Sequence, residues 1–258
     1  MLDGQVRIQG LVLRPPSRGR GLELQAGLTL ERLQLAALAQ ALGGPAFRGT
    51  ISGRIPMARY AGNRLDFDGG LAMQVFDGTV QVSALSKERP FGVAPTLSAD
   101  LDLVDLDLLA ITEVFDFGHI TGRLHGRIHG LRLVDWSATA FDAELRTEPR
   151  RGLRQRISQR AVQNISSVGD ASFANSLQGR LIALFDDFGY RRIGISCRLV
   201  NTVCTMGGLR SAGDGFTIVE GSGLPRLDVV GYNRRVDWPT LVERLAAVTA
   251  GEVKPVFD

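Results

Sequence analysis

The stretch from Leu24 to Ile55 can be laid on the stretch from Leu97 to Ile128 without a gap, at one constant offset. Leu24 falls on Leu97, Ala26 on Ala99, Leu28 on Leu101, Leu30 on Leu103, Leu33 on Leu106, Leu35 on Leu108 and Ala37 on Ala110. The match resumes with Gly49 on Gly122, Ile51 on Leu124, Gly53 on Gly126 and Ile55 on Ile128. A period of this length marks a supersecondary unit used twice, and such units stack because neither buries its apolar face alone. Each copy opens with alternation (Leu24, Ala26, Leu28, Leu30), which predicts a strand with one buried face. The spacing then lengthens to three and four, through Leu35, Leu38 and Leu42 in one copy and Leu108, Ile111 and Phe115 in the other, which predicts a short helix. A second strand is expected from about Gly49 and Gly122. Between the copies, residues 65–85 alternate again around Asp77-Gly78, a hairpin turn signal.

A chain of 258 residues that is 44% hydrophobic can bury a core. Its 30 basic and 27 acidic side chains leave a net charge of +3, too weak a footprint for duplex nucleic acid. Asp3 and Arg7 break up the first residues, which therefore read as neither signal peptide nor membrane span. Because the sequence starts inside an alternating pattern (Val6, Ile8, Leu11, Leu13), we expect a longer protein to continue upstream.

After Pro149 the pattern changes. Leu153, Ile157, Ala161 and Ile165 recur every four residues and predict one helix; Phe173, Leu177, Leu181, Leu184 and Phe188 predict a second, stopped by Gly189. Strands are expected again over 193–205 and 216–230, and a closing helix near Asp237, with Asp237 as its cap and Pro239 in its first turn. Two regions follow, 1–148 built from the repeating β units and 149–258 continuous with them.

Polar candidates for chemistry are few. His119, His125 and His129 share the polar face of a strand, but His125 and His129 then lie about 13 Å apart, too far to share one zinc ion. Asp100, Asp102, Asp105 and Asp107 lack the glycine and glutamate of a calcium loop and read as a solvent-facing strand edge. Gly194-Ile-Ser196 lacks the second glycine of a nucleophile elbow, Asp186 and Asp187 point to different sides, and no enzyme class is supported. Arg150, Arg151, Arg154, Arg156 and Arg160 flank the first helix stripe, compatible with lipid headgroups but favouring the outer face of a packed helix. Cys197 and Cys204 flank Leu199-Val-Asn-Thr202. A four-residue loop there sets them face to face, which favours a disulfide and an oxidising compartment over two buried thiols.

The strongest signal is the second strand of each copy. Its apolar face reads Gly49, Ile51, Gly53, Ile55 and then, after Ile120, Gly122, Leu124, Gly126, Ile128. Alternate positions carry no side chain where a filled core wants bulk. Two readings stand side by side: glycine gives curvature and leaves room for an acyl chain beside the aliphatic groups, or it lets a helix pack close to the sheet.

At Arg156-Ile-Ser-Gln-Arg-Ala-Val-Gln-Asn-Ile-Ser-Ser-Val-Gly169 the sequence becomes distinctive. Together with Phe185-Asp-Asp-Phe-Gly-Tyr190, Cys197-Arg-Leu-Val-Asn-Thr-Val-Cys204, Gly221-Ser-Gly-Leu-Pro225 and Val236-Asp-Trp-Pro-Thr-Leu241, it resembles the C-terminal region of YdbH-type proteins of the AsmA-like superfamily. That region also carries the label of a dicarboxylate transport domain, for which these residues offer no support. The resemblance covers the second half of the chain, and the first half is similar only in style. It implies a mainly β protein with a few helices: a curved, repetitive antiparallel β-sheet groove, interrupted by two helices near 153–188 and closed by a C-terminal helix. It further implies a periplasmic place in a Gram-negative envelope, an N-terminal inner-membrane anchor lying outside this sequence, phospholipid in the groove, no cofactor, and strand pairing with an outer-membrane lipoprotein. On this expectation the lipid-binding residues are Gly49, Ile51, Gly53, Ile55, Ile120, Gly122, Leu124, Gly126 and Ile128. The alternative is a structural scaffold or tether that uses its sheet edges and carries no lipid.

Overall fold

Four hairpins share one turn geometry and set the architecture. In the computed structural model, which describes residues 4–17, 19, 21–36, 49–169 and 185–249, the residue pairs Gly62-Asn63, Phe76-Asp77, Asp135-Trp136 and Asn201-Thr202 all have φ between 49° and 66°. Two consecutive positive φ values make a type I′ turn, whose twist matches that of antiparallel strands. The strands joined this way are short-range neighbours, so the sheet grows mainly in sequence order.

The elements are β1 (Gln5–Arg14), β2 (Glu23–Gln34), β3 (Gly49–Ala61), β4 (Arg64–Val75), β5 (Gly78–Glu88), β6 (Thr96–Asp107), α1 (Leu108–Val114), β7 (Arg123–Val134), β8 (Ser137–Thr147), β9 (Arg156–Ser158), α2 (Gln159–Gly169), β10 (Asp187–Val200), β11 (Val203–Gly208), β12 (Arg210–Ala212), β13 (Gly215–Gly221), β14 (Val229–Gly231), β15 (Arg235–Asp237) and α3 (Trp238–Thr249). The protein is mainly β, with one large open antiparallel sheet. Its order is β1-β2-β3-β4-β5-β6-β7-β8-β10-β11-β15, with β9 and β13 also on β10 and with β12 and β14 flanking β13. The residues form two compact units, Met1–Leu106 with Arg127–Asp142, and Asp107–Gly126 with Ala143–Asp258. The division therefore differs from the one read at Pro149, because β7 and β8 each contribute to both units.

The repeat is visible in the backbone. β2 and β6 begin and end at the offset of the sequence repeat, and each carries a left-handed residue at the same place, Arg32 with φ 48° and Asp105 with φ 57°. In the first copy that residue forms a β-bulge, which brings Leu30 and Leu33 to one face, and the Arg32 amide donates to Ser52 Oγ at 3.0 Å. The correspondence extends beyond the matching side chains, since the Gly62-Asn63 turn and the Asp135-Trp136 turn occupy equivalent positions.

Asp107 ends β6 and caps α1, accepting from the amides of Leu109 at 2.9 Å and Ala110 at 3.5 Å. The equivalent helix, read through Leu35, Leu38 and Leu42, is described only at Leu35 and Ala36; its remainder, like most of the helix read over 173–188, lies outside the described residues. Phe188, assigned to that helix, lies in β10 instead. The helix read from Leu153 starts only at Gln159. Leu153 lies in a loop, and Ile157 is in β9, paired with Phe188 and 1% exposed. The four-residue spacing arose because Ile157 and Ala161 both enter one core from different elements. The hairpin at Asp77 turns one residue earlier than read, with Gly78 already in β5 opposite Val75. At the C-terminal end, Asp237 Oδ2 accepts from the Thr240 amide at 3.0 Å and from its hydroxyl at 2.8 Å, and α3 begins at Trp238.

The core of the second unit gathers Leu108, Ile120, Ile157, Ala161, Val162, Phe188, Tyr190, Phe216, Ile218, Val219 and Val229. Tyr190 enters it with a polar end, and its hydroxyl donates to the Thr121 carbonyl at 2.6 Å. Burial pushes the phenol up to about 12, against about 10 in an unfolded chain. A raised phenol contributes stability that is intact below pH 10 and is lost as pH rises toward 12. We expect a fall of about 2–3 kcal/mol over that window. Urea denaturation of wild type and Tyr190→Phe across it checks this, since the variant lacks that component of the slope.

Candidate functional site

Residues paired across antiparallel strands point to the same side of the sheet, so the registers of the first unit can be read as rows. One row runs Val6, Leu30, Gly53, Leu71, Val82, Leu101, from β1 through β6. Beside it runs Leu33, Ile51, Met73, Val80, Leu103, and on the other flank Ile8, Leu28, Ile55. Every member is aliphatic, a methionine or a glycine. The rows in between belong to the opposite side and read Arg7, Thr29, Arg54, Gly70 and Ser52, Ala72, Gln81, Asp102. Six strands thus present one apolar and one polar face.

Among the described residues, the first unit holds no helix beyond Leu35 and Ala36. Val80, Val82, Ile51 and Ile55 are buried all the same, while Val6 and Ile8 on β1 are 55% and 59% exposed. Register shifts occur in each successive pair from β1 to β6: at Gln9/Val12, Ala26/Leu28, Arg54/Met57, Asp66/Leu71 and Ser83/Ser86. Gly10, Gly69 and Ala84 take positive φ at three of these. Bulges bend and twist the strands that carry them, and here they form a row across the sheet.

The structure divides the site residues read from the sequence. Gly49, Ile51, Gly53, Ile55 and Ile128 belong to the first unit; Ile120, Gly122, Leu124 and Gly126 belong to the second. Ile120 is buried in the second unit's core and Leu124 packs against it. The glycines do not leave empty space. A Cβ on Gly53 would lie 2.6 Å from Leu71 Cδ2 and 2.9 Å from Leu71 Cα, and one on Gly49 would lie 2.6 Å from the Gln74 carbonyl oxygen. At Gly126 it would meet the Glu144 carbonyl and Leu145, and at Gly122 the Tyr190 hydroxyl. The room expected over these positions is filled by the neighbouring strand or by Tyr190, and the glycines permit close approach. Among the described residues, no helix is the nearest neighbour of Gly49, Gly53, Gly122 or Gly126. What the sequence did not disclose is the share of β1, β4 and β5 in the apolar face. Val6, Leu71 and Val82 show the alternation, but their partners follow only from register.

The polar candidates take structural places. Asp100 Oδ1 accepts from the Gly130 amide at 2.7 Å and lies 3.1 Å from His129 Nδ1, and Asp107 is the cap of α1. These carboxylates sit on an interior strand, between β5 and β7, and not on the sheet edge expected for them. The His119 amide donates to Ser158 Oγ at 2.9 Å. No group of His, Cys, Asp or Glu among the described residues is placed to hold a metal ion. No described helix is long and apolar enough to cross a membrane.

Cys197 and Cys204 are joined, with Cα atoms 5.6 Å apart. The loop between them is not the four-residue tip expected, because Asn201-Thr202 alone makes the turn. Cys204 therefore lies opposite Leu199, and Cys197 lies opposite Met206. The link runs diagonally across the hairpin, with Cys204 and Leu199 buried in its face.

Comparison with known proteins found no matching family model, curated protein or solved structure.

Proposed function

We propose that this chain is the C-terminal part of a bridge that carries phospholipid across the periplasm between inner and outer membrane, with acyl chains lying along the apolar face of the first unit. The observation that supports this reading is the set of adjoining apolar rows, one of which runs from β1 to β6, backed by a polar face. Such a sheet offers acyl chains a continuous surface and keeps its other side in water. Curvature into a groove comes from the row of bulges. The role is binding without turnover. On this reading the exposed Val6 and the half-buried Leu30, Leu71 and Leu101 touch lipid, while the glycines allow the strands to close up. The Cys197–Cys204 bond supports an oxidising compartment. An inner-membrane anchor supplied upstream and an outer-membrane lipoprotein paired through a strand complete the bridge.

Lipid extraction and mass spectrometry of the purified chain test the proposal. Co-purified phospholipid is expected, and a folded sample free of it contradicts the reading. One observation favours the scaffold alternative. β1 is exposed along its whole length, stands at one end of the strand order and, among the described residues, pairs with β2 alone, which leaves a row of backbone groups for a partner strand. A lipid-free chain that captures a strand at β1 is the result that this second reading expects.

A further inference from the structure

The second unit contains an open cleft of about 880 Å³ bordered by the loop after β8, the start of β10 and the loop after β13. Arg150 and Arg154, read from sequence as flanking a helix, stand on an exposed loop and line this cleft with Arg156, Arg191 and Arg226. Five guanidinium groups meet Asp187 and Glu220 there, and Asp228 lies 3.4 Å from Arg226. Asp187 is paired with Arg156, and Glu220 lies 2.8 Å from Arg192. The Arg156 hydrogen bond holds the Asp187 carboxyl below its usual range, and the Arg192 hydrogen bond does the same for Glu220, with Arg191 and Arg210 adding to the positive field. Counting Arg192, six guanidinium groups around the cleft face three carboxylates, which leaves a net cationic surplus.

Two apolar side chains stand at the same rim. Leu224 is 100% exposed in the loop after β13, beside Gly223 with φ 80°, and Leu153 is 39% exposed. Cations that seek phosphate next to bare leucines match the two layers of a membrane surface, headgroup and acyl boundary.

We propose that this rim docks the second unit onto an anionic lipid bilayer, with Arg154 and Arg191 on headgroup phosphates and Leu224 and Leu153 entering the acyl boundary. The inference goes beyond acyl binding along the first unit and stands without it, so the two fail separately.

Flotation of the whole chain with phosphatidylcholine vesicles, with and without phosphatidylglycerol, tests it. Binding is expected only to the anionic vesicles and should weaken as salt rises. Arg154→Gln combined with Arg191→Gln should weaken it at least tenfold, at roughly fivefold per cation. Leu224→Asp should also weaken it, whereas Arg54→Gln, on the polar face of the first unit, should leave it unchanged. These side chains are exposed, and matching circular dichroism spectra confirm that each variant folds. The proposal is overturned by wild-type binding in the double variant, by equal binding to both vesicles, or by an equal loss in Arg54→Gln. Release by millimolar inorganic phosphate at constant ionic strength also overturns it, since that marks a site for a soluble anion.

Discussion

Replacing Gly126 by leucine is expected to cost about 3 kcal/mol or more, a fall of roughly 6–12 °C in the melting temperature of a chain this size. Gly126 does not have a positive φ, so its backbone suits any L residue and the cost isolates the missing side chain. A Cβ there would run into the Glu144 carbonyl, 2.7 Å from Leu145 Cδ2 and 3.1 Å from Leu145 Cα. The side-chain atom could swing aside, but the backbone of β8 could not without breaking its pairing. Gly53, its counterpart in the first copy of the repeat, meets Leu71 in the same way, and Gly53→Leu should behave alike. Gly130 is the control, because it has nothing within 4 Å of a built Cβ and a φ of 61°, a conformation that asparagine tolerates. Thermal unfolding of Gly126→Leu and Gly130→Asn followed by circular dichroism decides the point: a wild-type melting temperature in Gly126→Leu would mean that the strands are not held this close.

Reducing the Cys197–Cys204 bond should cost about 2–3 kcal/mol, the loop-closure contribution for a short ring. The bond closes a sequence separation of 7 residues on a hairpin that already has a tight turn, so the lower end of the usual range for disulfides applies. Leu199 is 1% exposed on the same face, and loosening the hairpin would wet it. Chain produced in an oxidising compartment should take up no alkyl group until reductant is added, and its melting temperature should drop once it does. Two alkylated cysteines before reduction would show that the pair is not joined.

Much of the first unit was readable because a repeat states its backbone twice. The alternation that begins at Leu24 and Leu97 located β2 and β6, and the same spacing placed α1 after Asp107. Beyond Ile55 and Ile128 the side chains diverge while the backbone continues in parallel to the Asp135-Trp136 turn, because a type I′ turn constrains φ at two positions and tolerates several residue types there. Register was the part that local pattern could not supply. Leu71 faces Val82 and Gly53 only after bulges at Gly69 and Ala84 have shifted the pairing, and one residue of slip reverses a face. The glycines were misread for the same reason: a bare position in one strand looks empty until the neighbouring strand is placed against it. In the second unit, Leu153, Ile157 and Ala161 have helical spacing, yet a three-residue strand intervenes, too short to show its own period.

In the proposed role, lipid lies on one face of the first unit's sheet and not on the other. Photocrosslinking in cells tests it most directly, with a benzophenone amino acid placed singly at Leu30, Leu71 or Leu101 on the apolar rows and at Arg54, Gln81 or Asp102 on the polar rows. The account predicts phospholipid adducts at the first three positions and none at the second three. Adducts at both sets alike, or at neither, would contradict it.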